Sequence, residues 1–239
     1  MNFILFGGLF VTGTDTNIGK TLISASLAWR LSQHHDKICV MKPFATSDKI
    51  FSNRFNSKDV FLLSKSIKLE EDQNYLNPYF YKLSASPYMA SKILKIKPPS
   101  ITIAFNKFKY LKKKYNFIVV EGIGGIMVPL NQKYNLVDFI KLTGLSLIIV
   151  ATPKIGTLNH TLLTVQICKD YNIPIRGIIF NKMPEKPSIV EKTTPSFIEK
   201  LTNIPVLGII PYYNNIKFND STFKKISNHI SNLLYKRDS

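Results

Sequence analysis

Short apolar runs alternate along the chain with longer segments in which apolar residues recur at helical spacing. The runs are LFVT (9–12), ICVMK (38–42), FIVVE (117–121), LIIVA (147–151), GIIFN (177–181) and VLGII (206–210). They are rich in β-branched residues and lack period-2 alternation, as expected of strands buried on both faces of a parallel sheet. The helical period is clearest over 20–33, where Leu22, Ile23, Leu27, Ala28 and Leu31 share one stripe. Further helices are predicted over about 86–96, 100–114, 135–143, 159–171, 187–202 and 219–235. The β-α-β-α order implies an α/β fold, a doubly wound, mostly parallel sheet flanked by helices with right-handed crossovers. No repeat, low-complexity tract or linker interrupts it. Residues 1–239 therefore read as one domain, with 1–8 a short extension before the first strand.

Composition narrows the picture. A hydrophobic fraction of 45% over 239 residues is enough for a sizeable core and excludes a disordered chain. The longest apolar stretches, such as LSLIIVA (145–151), fall far short of the ~20 residues a membrane helix needs. The N-terminal MNFILFGGLFVTG has a faint likeness to a signal peptide. No basic residue precedes Lys20, however, and cleavage would destroy the adjoining glycine turn. Cys39 and Cys168 both lie in apolar segments and read as buried thiols of a reducing compartment, so a cytoplasmic protein is expected. The net charge of +17 raises nucleic acid or an acidic surface as a partner. But the lysines are scattered, Lys112–Lys114 is the one tight run, and aromatics do not interleave with them as in RNA-binding modules. Abundant Lys, Asn and Ile throughout point instead to compositional drift, and neither nucleic acid nor membrane is expected as a partner.

Sites in doubly wound sheets lie beyond the carboxyl ends of the strands. The segments at those ends are all polar or glycine-rich: GTDTNIGKT (13–21), KPFATSD (42–48), EGIGGIMVPL (121–130), TPKIGTLNH (152–160), NKM (181–183) and PYYNN (211–215). A strand, a glycine turn, Gly-Lys-Thr and an amphipathic helix form the context of a phosphate loop. Gly13 lies one position further from Gly19 than G-x-x-x-x-G-K-[ST] allows. Backbone N–H groups of about 16–21 would face phosphates at the helix N-terminus, Lys20 would reach the β- and γ-phosphates, and Thr21 would coordinate Mg²⁺.

Glu121, at the tip of a buried strand, is costly to desolvate without a cation, and Mg²⁺ beside Thr21 is its natural partner. Gly122, Gly124 and Gly125 would let backbone approach a ligand. Lys42 faces the same edge as Lys20, and a second lysine suits charge moving between a γ-phosphate and an acceptor. A snorkelling surface lysine is the lesser alternative from the sequence by itself. Asp59 opens a predicted helix and by itself reads as an N-cap more often than as a ligand. Asn181 is either a turn residue or a reader of an adenine edge. No Cys/His metal cluster and no nucleophile triad is visible.

In combination, VTGTDTNIGKT, MKPFATS, NPYFY with SASPY, VVEGIGGIMVPL, KIGTLNHTLLT and GIIFNK resemble the dethiobiotin synthetases, in order, from about residue 9 to 215. The extra residue in the phosphate loop is a trait of that family. The resemblance implies a P-loop fold and an ATP-dependent cyclo-ligase that takes 7,8-diaminopelargonic acid, CO₂ and MgATP. A carbamate would attack the γ-phosphate, giving a carbamic–phosphoric anhydride that the second amine closes to the ureido ring. By position, Lys42, Lys20 and Thr16 are the catalytic candidates. Asn17, Ile18, Gly19, Lys20, Thr21, Gly122, Ile123, Gly124, Asn181, Lys182, Pro211, Tyr212 and Tyr213 would hold the nucleotide. Thr21, Asp59 and Glu121 would hold Mg²⁺. Thr46 falls where the family has a substrate-binding serine. Gly156, Thr157 and Asn159 would bind the substrate carboxylate across a homodimer interface.

The chain departs from the family at Asn17, commonly acidic, at Thr46, which adds a methyl, and at Ile123 and Ile126, which crowd the glycine loop. Two rival enzyme and binding classes share such a core. Cobyrinate amidation synthetases carry a glutaminase domain with a nucleophilic Cys, for which neither cysteine here is suitably placed. Partitioning ATPases of the Min/Par type carry a signature lysine early in the loop, and here none precedes Lys20. A degraded homologue is opposed by the intact Lys20, Thr21, Lys42, Asp59 and Glu121.

Overall fold

The computed structural model describes residues 7–231. In chain order the first half comprises β1 (Gly8–Gly13), α1 (Lys20–Ser32), β2 (Ile38–Met41), β3 (Phe44–Thr46), α2 (Lys58–Ser66), α3 (Gln73–Leu76), β4 (Tyr79–Tyr81), α4 (Pro87–Ile93) and α5 (Ile101–Lys114). The second half comprises β5 (Phe117–Gly125), α6 (Leu136–Thr143), β6 (Ser146–Ala151), α7 (Thr157–Asp170), β7 (Ile175–Met183), α8 (Ile189–Thr202), β8 (Val206–Pro211) and α9 (Asp220–Ser227). Six strands form one sheet in the order β2-β5-β1-β6-β7-β8, every neighbouring pair parallel. The six apolar runs of the sequence are those six strands. Of the expected extension, 1–6 lie outside the described residues, and Gly8 is already strand.

Both faces of the sheet are buried, which is why its strands carry no alternation. Leu9, Val11, Val119, Ile148 and Val150 pack under α1 and α9. Phe10, Ile118, Val120, Leu147 and Ile149 pack on the opposite face with residues of α5, α6, α7 and α8. α1 is buried nearly all round, Ser24 and Ser26 included, because it is held between the sheet, α2 and α9. The helix expected over 219–235 stops at Ser227; Ile230 then bridges to Gly208 of β8, and 232–235 lie outside the described residues.

The sequence pattern does not reveal β3 and β4, which pair with each other in a separate two-stranded sheet of three residues per strand. Their anchor is Phe44, stacked on Tyr79 at 6.0 Å and meeting Phe139 edge-on at 5.2 Å. Truncating a fully buried Phe of this kind costs about 3–5 kcal/mol. The consequence for the site is positional, since Phe44 lies between Lys42 and Thr46.

β1 sits at the centre, where successive connections change direction. The chain crosses over β5 to β2, returns to β5, and then continues on the other side of β1. The crevice at the carboxyl end of β1 is therefore the switch point at which such sheets bind ligands.

Candidate functional site

The loop after β1 is held from several sides. The Thr14 N–H donates to Val150 O at 3.0 Å, and the Asp15 carboxylate accepts from the Thr16 N–H at 2.6 Å. Asn17 takes φ 54°, a conformation asparagine tolerates well. Lys182 donates its ammonium to Asn17 O, and Asn181 donates its amide to Ile18 O at 2.8 Å. Gly19 caps α1 with φ 92°, and a Cβ there would lie 2.1 Å from the Asn181 amide nitrogen. The position is thus closed to any side chain on both counts. α1 begins with no acidic residue in its first turn, so its free N–H groups and positive dipole end face the crevice.

Lys20 folds back over the loop, donating to Asp15 O at 2.6 Å. Burial pushes its pKa down, and the neighbouring Lys42 pushes it further, to about 8. Gly13 makes room for it: a Cβ at Gly13 would lie 3.0 Å from Lys20 atoms and 2.5 Å from Ile18.

Opposite, at the midpoint of β5, which runs on to Gly125 rather than ending at Glu121 as expected, stands Glu121, fully buried. One oxygen, Oε1, accepts from the Thr21 hydroxyl at 2.9 Å and from Lys42 Nζ at 2.5 Å. Its other oxygen, Oε2, is buried without a hydrogen-bond partner. Lys42 also bonds Asp59 Oδ2 at 2.7 Å. Burial works against the Lys42 charge, but Glu121 and Asp59 outweigh it and hold the ammonium above the ordinary lysine range. For Asp59, burial is likewise outweighed, by Lys42, and its pKa lies below the usual carboxylate range. For Glu121, burial prevails over Lys42, and its pKa lies above that range. Asp59 is not the N-cap of α2; Ser57 occupies that position, and Asp59 in the first turn points to Lys42.

The Lys42 backbone is fixed as firmly as its ammonium. Its N–H donates to Leu76 O at 2.9 Å, and its carbonyl accepts from the buried Asn77 amide at 2.7 Å. The same amide reaches Tyr79 O at 3.0 Å. Asn77 is a positioning residue that sequence reading does not single out, although it opens the NPYFY segment.

These groups line one cleft of about 810 Å³. It brings together Thr16, Asn17, Gly19, Lys20, Thr21, Lys42, Thr46, Asp59, Glu121, Ile123, Gly124 and Lys182. Ser84, Ala85, Ser86 and Val128 complete its wall. The first three belong to the SASPY segment, whose Ser86 caps α4 ahead of Pro87. Gly122 faces away, toward Leu136 and Phe10, and Ile18 is part of the core beneath α1. Asn181 lies behind the loop with its amide engaged.

Two expected groups stand apart from the cleft. Pro211, Tyr212 and Tyr213 lie at the end of β8, where Tyr213 packs under Lys225, 4.5 Å from its ring centre, and Tyr212 is exposed. Gly156, Thr157 and Asn159 lie at the start of α7, with Thr157 buried and Asn159 on an outer face with Leu162, Leu163 and Leu201.

The donor set suits a hard cation. Thr21 and two carboxylates offer oxygen only, and the unpartnered Glu121 Oε2 is the kind of buried atom a bound cation satisfies. Among the described residues no group of three or more His, Cys, Asp or Glu could hold a metal, so a cation here needs further oxygens from phosphate or water.

Known proteins are similar to this chain in sequence and in fold. Residues 7–219 match the family described as AAA domain. A curated relative, "ATP-dependent dethiobiotin synthetase BioD" of Nitrosopumilus maritimus (strain SCM1), is 40% identical over 232 residues, 96% of this chain and 95% of its own. The protein of the same name from Bacillus subtilis (strain 168) is 36% identical over 224 residues, 94% and 95% of the two chains. Among solved structures, a ParA family ATPase from Chlorobium tepidum TLS superposes with a TM-score of 0.52 at 18% identity, covering 95% of this chain and 91% of its own. The MinD cell division protein of Aquifex aeolicus gives 0.53 at 14% identity, over 87% and 83%. At such identities the two structures share the P-loop fold and nothing more specific.

Proposed function

The chain belongs to the ATP-dependent dethiobiotin synthetase family, and from that premise we propose that it carboxylates 7,8-diaminopelargonic acid (7,8-diaminononanoate) with CO₂ and closes the ureido ring, giving dethiobiotin, ADP and phosphate in biotin biosynthesis. The observation that supports this best is the gathering of two buried lysines around one cleft at a helix N-terminus, with Lys42 paired to the two carboxylates Asp59 and Glu121. Such an arrangement clamps a phosphoryl group and stabilises moving charge, and the reaction asks for no protein nucleophile.

In this reading the N–H groups at the start of α1, with Lys20, hold the β- and γ-phosphates of ATP. Thr21, Asp59 and Glu121 hold Mg²⁺, which when bound neutralises phosphate charge. One substrate amine takes up CO₂ as a carbamate. A carbamate oxygen forms the new bond to the γ-phosphorus as the bond to ADP breaks. The second amine then attacks the carbonyl carbon of the mixed anhydride. The carbon–oxygen bond breaks, phosphate leaves with its electron pair, and the amine loses its proton. Lys42 spreads its charge over the carbamate and the transferring phosphoryl group. Thr16 and Thr46 meet the diamine from the two sides of the cleft, and Asn181, Lys182 and Pro211–Tyr213 serve the adenosine end.

We further propose a homodimer. Leu158, Leu162 and Leu163 of α7 and Val190, Phe197 and Leu201 of α8 are exposed apolar side chains, with Leu162, Leu163 and Leu201 lining one groove between the helices, a surface suited to burial against a second copy. Gly156, Thr157 and Asn159 stand beside that face and away from their own cleft, so they would serve a partner's substrate carboxylate. We place the enzyme in the cytoplasm; among the described residues no helix is long and apolar enough to cross a membrane. The test is direct. Dethiobiotin should be detected by mass spectrometry when the purified protein is given MgATP, bicarbonate and the diamine together, and omission of any one should abolish it.

A further inference from the structure

In the structure the two carboxylates assigned to Mg²⁺ are bridged by a different cation. Lys42 Nζ bonds Glu121 Oε1 at 2.5 Å and Asp59 Oδ2 at 2.7 Å, and Thr21 donates to the same Glu121 oxygen. The lysine is held in place by its backbone, through Leu76 and Asn77, as well as by its head group. An ammonium and a divalent cation drawn to one pair of carboxylates repel each other at close range, so the lysine opposes the metal even though Glu121 Oε2 has no hydrogen-bond partner. Glu121, fully buried, needs a positive neighbour at all times, because it would otherwise be a poorly solvated charge, whereas the Asp59 side chain is partly open to solvent. Lys20 bonds neither carboxylate, since its ammonium is turned to Asp15 O.

We infer that Lys42 is the resident cation of this site: it holds Glu121 and Asp59 until a divalent cation arrives, is displaced from both when the cation binds, and is thereby released into the cleft. The inference rests on the reading of Thr21, Asp59 and Glu121 as Mg²⁺ ligands. It has two consequences. A divalent cation alone binds weakly, because it must break a buried ion pair with no phosphate to help. And Lys42 becomes available to the reacting groups only in the loaded site, which couples the arming of the lysine to the arrival of metal and nucleotide together.

The test uses the full-length, nucleotide-free protein and Mn²⁺ as a paramagnetic probe, with binding read by electron paramagnetic resonance. Wild type should bind Mn²⁺ weakly, and Lys42→Met should bind it roughly tenfold more tightly or better, because the competing charge is gone. Lys20→Met, which removes an equal charge that touches neither carboxylate, should gain less than about threefold. Equal affinity in Lys42→Met and wild type would overturn the inference, and so would an equal gain in Lys20→Met. If Lys42→Met does not fold, a crystal of wild type with Mg²⁺ and a non-hydrolysable ATP analogue decides. Lys42 Nζ beyond bonding distance of both carboxylates supports displacement, and retention of either bond overturns it. Dethiobiotin formation alongside an unchanged Mn²⁺ affinity would sink this inference alone. Failure of wild type to bind Mn²⁺ even with ATP would sink the metal-ligand reading and the inference with it.

Discussion

Lys42 Nζ and Glu121 Oε1 meet at 2.5 Å with both side chains out of solvent, one at the end of β2 and the other on β5. The two strands are neighbours in the sheet, so the ion pair joins structure to chemistry. Lys20, the other buried lysine among the described residues, has a backbone carbonyl for its partner instead.

That difference separates two substitutions that the reaction alone would not. Removing one member of a buried pair leaves the other uncompensated, at a cost of about 3–5 kcal/mol. Lys42→Met should therefore lose both turnover and stability. Lys20→Met should lose turnover by orders of magnitude with no loss of stability, since the burial cost of its own charge disappears with it. Urea unfolding of the two variants beside wild type checks this, and equal destabilisation of both would contradict it.

The depressed pKa of Lys20 sets a pH dependence for nucleotide binding. Above about 8 the free protein carries Lys20 neutral, so binding ATP must recharge it. Affinity should fall above pH 8, by up to about tenfold per unit, until the pKa of the bound form is reached. The sign for folding is the opposite. Between about 8 and the ordinary value of 10.5 the unfolded chain holds a proton that the folded chain lacks, so this group makes stability rise with pH there. Titration with a fluorescent ATP analogue from about pH 7 to about pH 10 should show the decline in wild type and not in Lys20→Arg, whose guanidinium stays charged throughout. A flat wild-type profile would count against a neutral Lys20.

Thr46 lines the cleft at the end of β3, across from the phosphate loop. Its hydroxyl is the feature the diamine would use. Thr46→Ser should keep activity, whereas Thr46→Val should raise KM for the diamine by roughly tenfold, the size of one lost hydrogen bond, with KM for ATP unchanged. A rise in both constants would point to a disturbed loop rather than a substrate contact.

The apolar face of α7 and α8 predicts how the protein assembles. Leu163 is 58% and Phe197 55% exposed in the isolated chain. Leu163→Asp with Phe197→Asp should give a monomer in sedimentation equilibrium. The monomer should keep nucleotide binding and lose affinity for the diamine, because Asn159 of one copy would no longer reach the cleft of another. A monomer with normal KM for the diamine would refute the shared site.

Most of this site is legible in the sequence because a parallel sheet gathers its strand ends at one edge. Residues that close the apolar runs, such as Glu121 and Lys42, are thereby placed together before any distance is known. The strands themselves are plain, since burial on both faces makes them uniformly apolar. β3 and β4 are not, because three residues leave no period to read and their pairing depends on Phe44, Tyr79 and Phe139 meeting in space. Nor can sequence show that Asn181 turns its amide to the phosphate loop, or that Lys42 spans two carboxylates. Those are contacts across 163, 17 and 79 residues, fixed by packing alone. Ser84 and Ser86 are hidden for the same reason, and the Ser-Pro helix start at Ser86 is the one local signal.

Coupling of ATP cleavage to ring closure can be read in a single assay: phosphate release from MgATP by the purified protein, with and without the diamine and bicarbonate. Release is expected only when both are present, in step with dethiobiotin formed, one phosphate to each ring. Release that ignores the diamine, or that responds to DNA or lipid instead, would contradict the synthetase reading while leaving the P-loop fold in place.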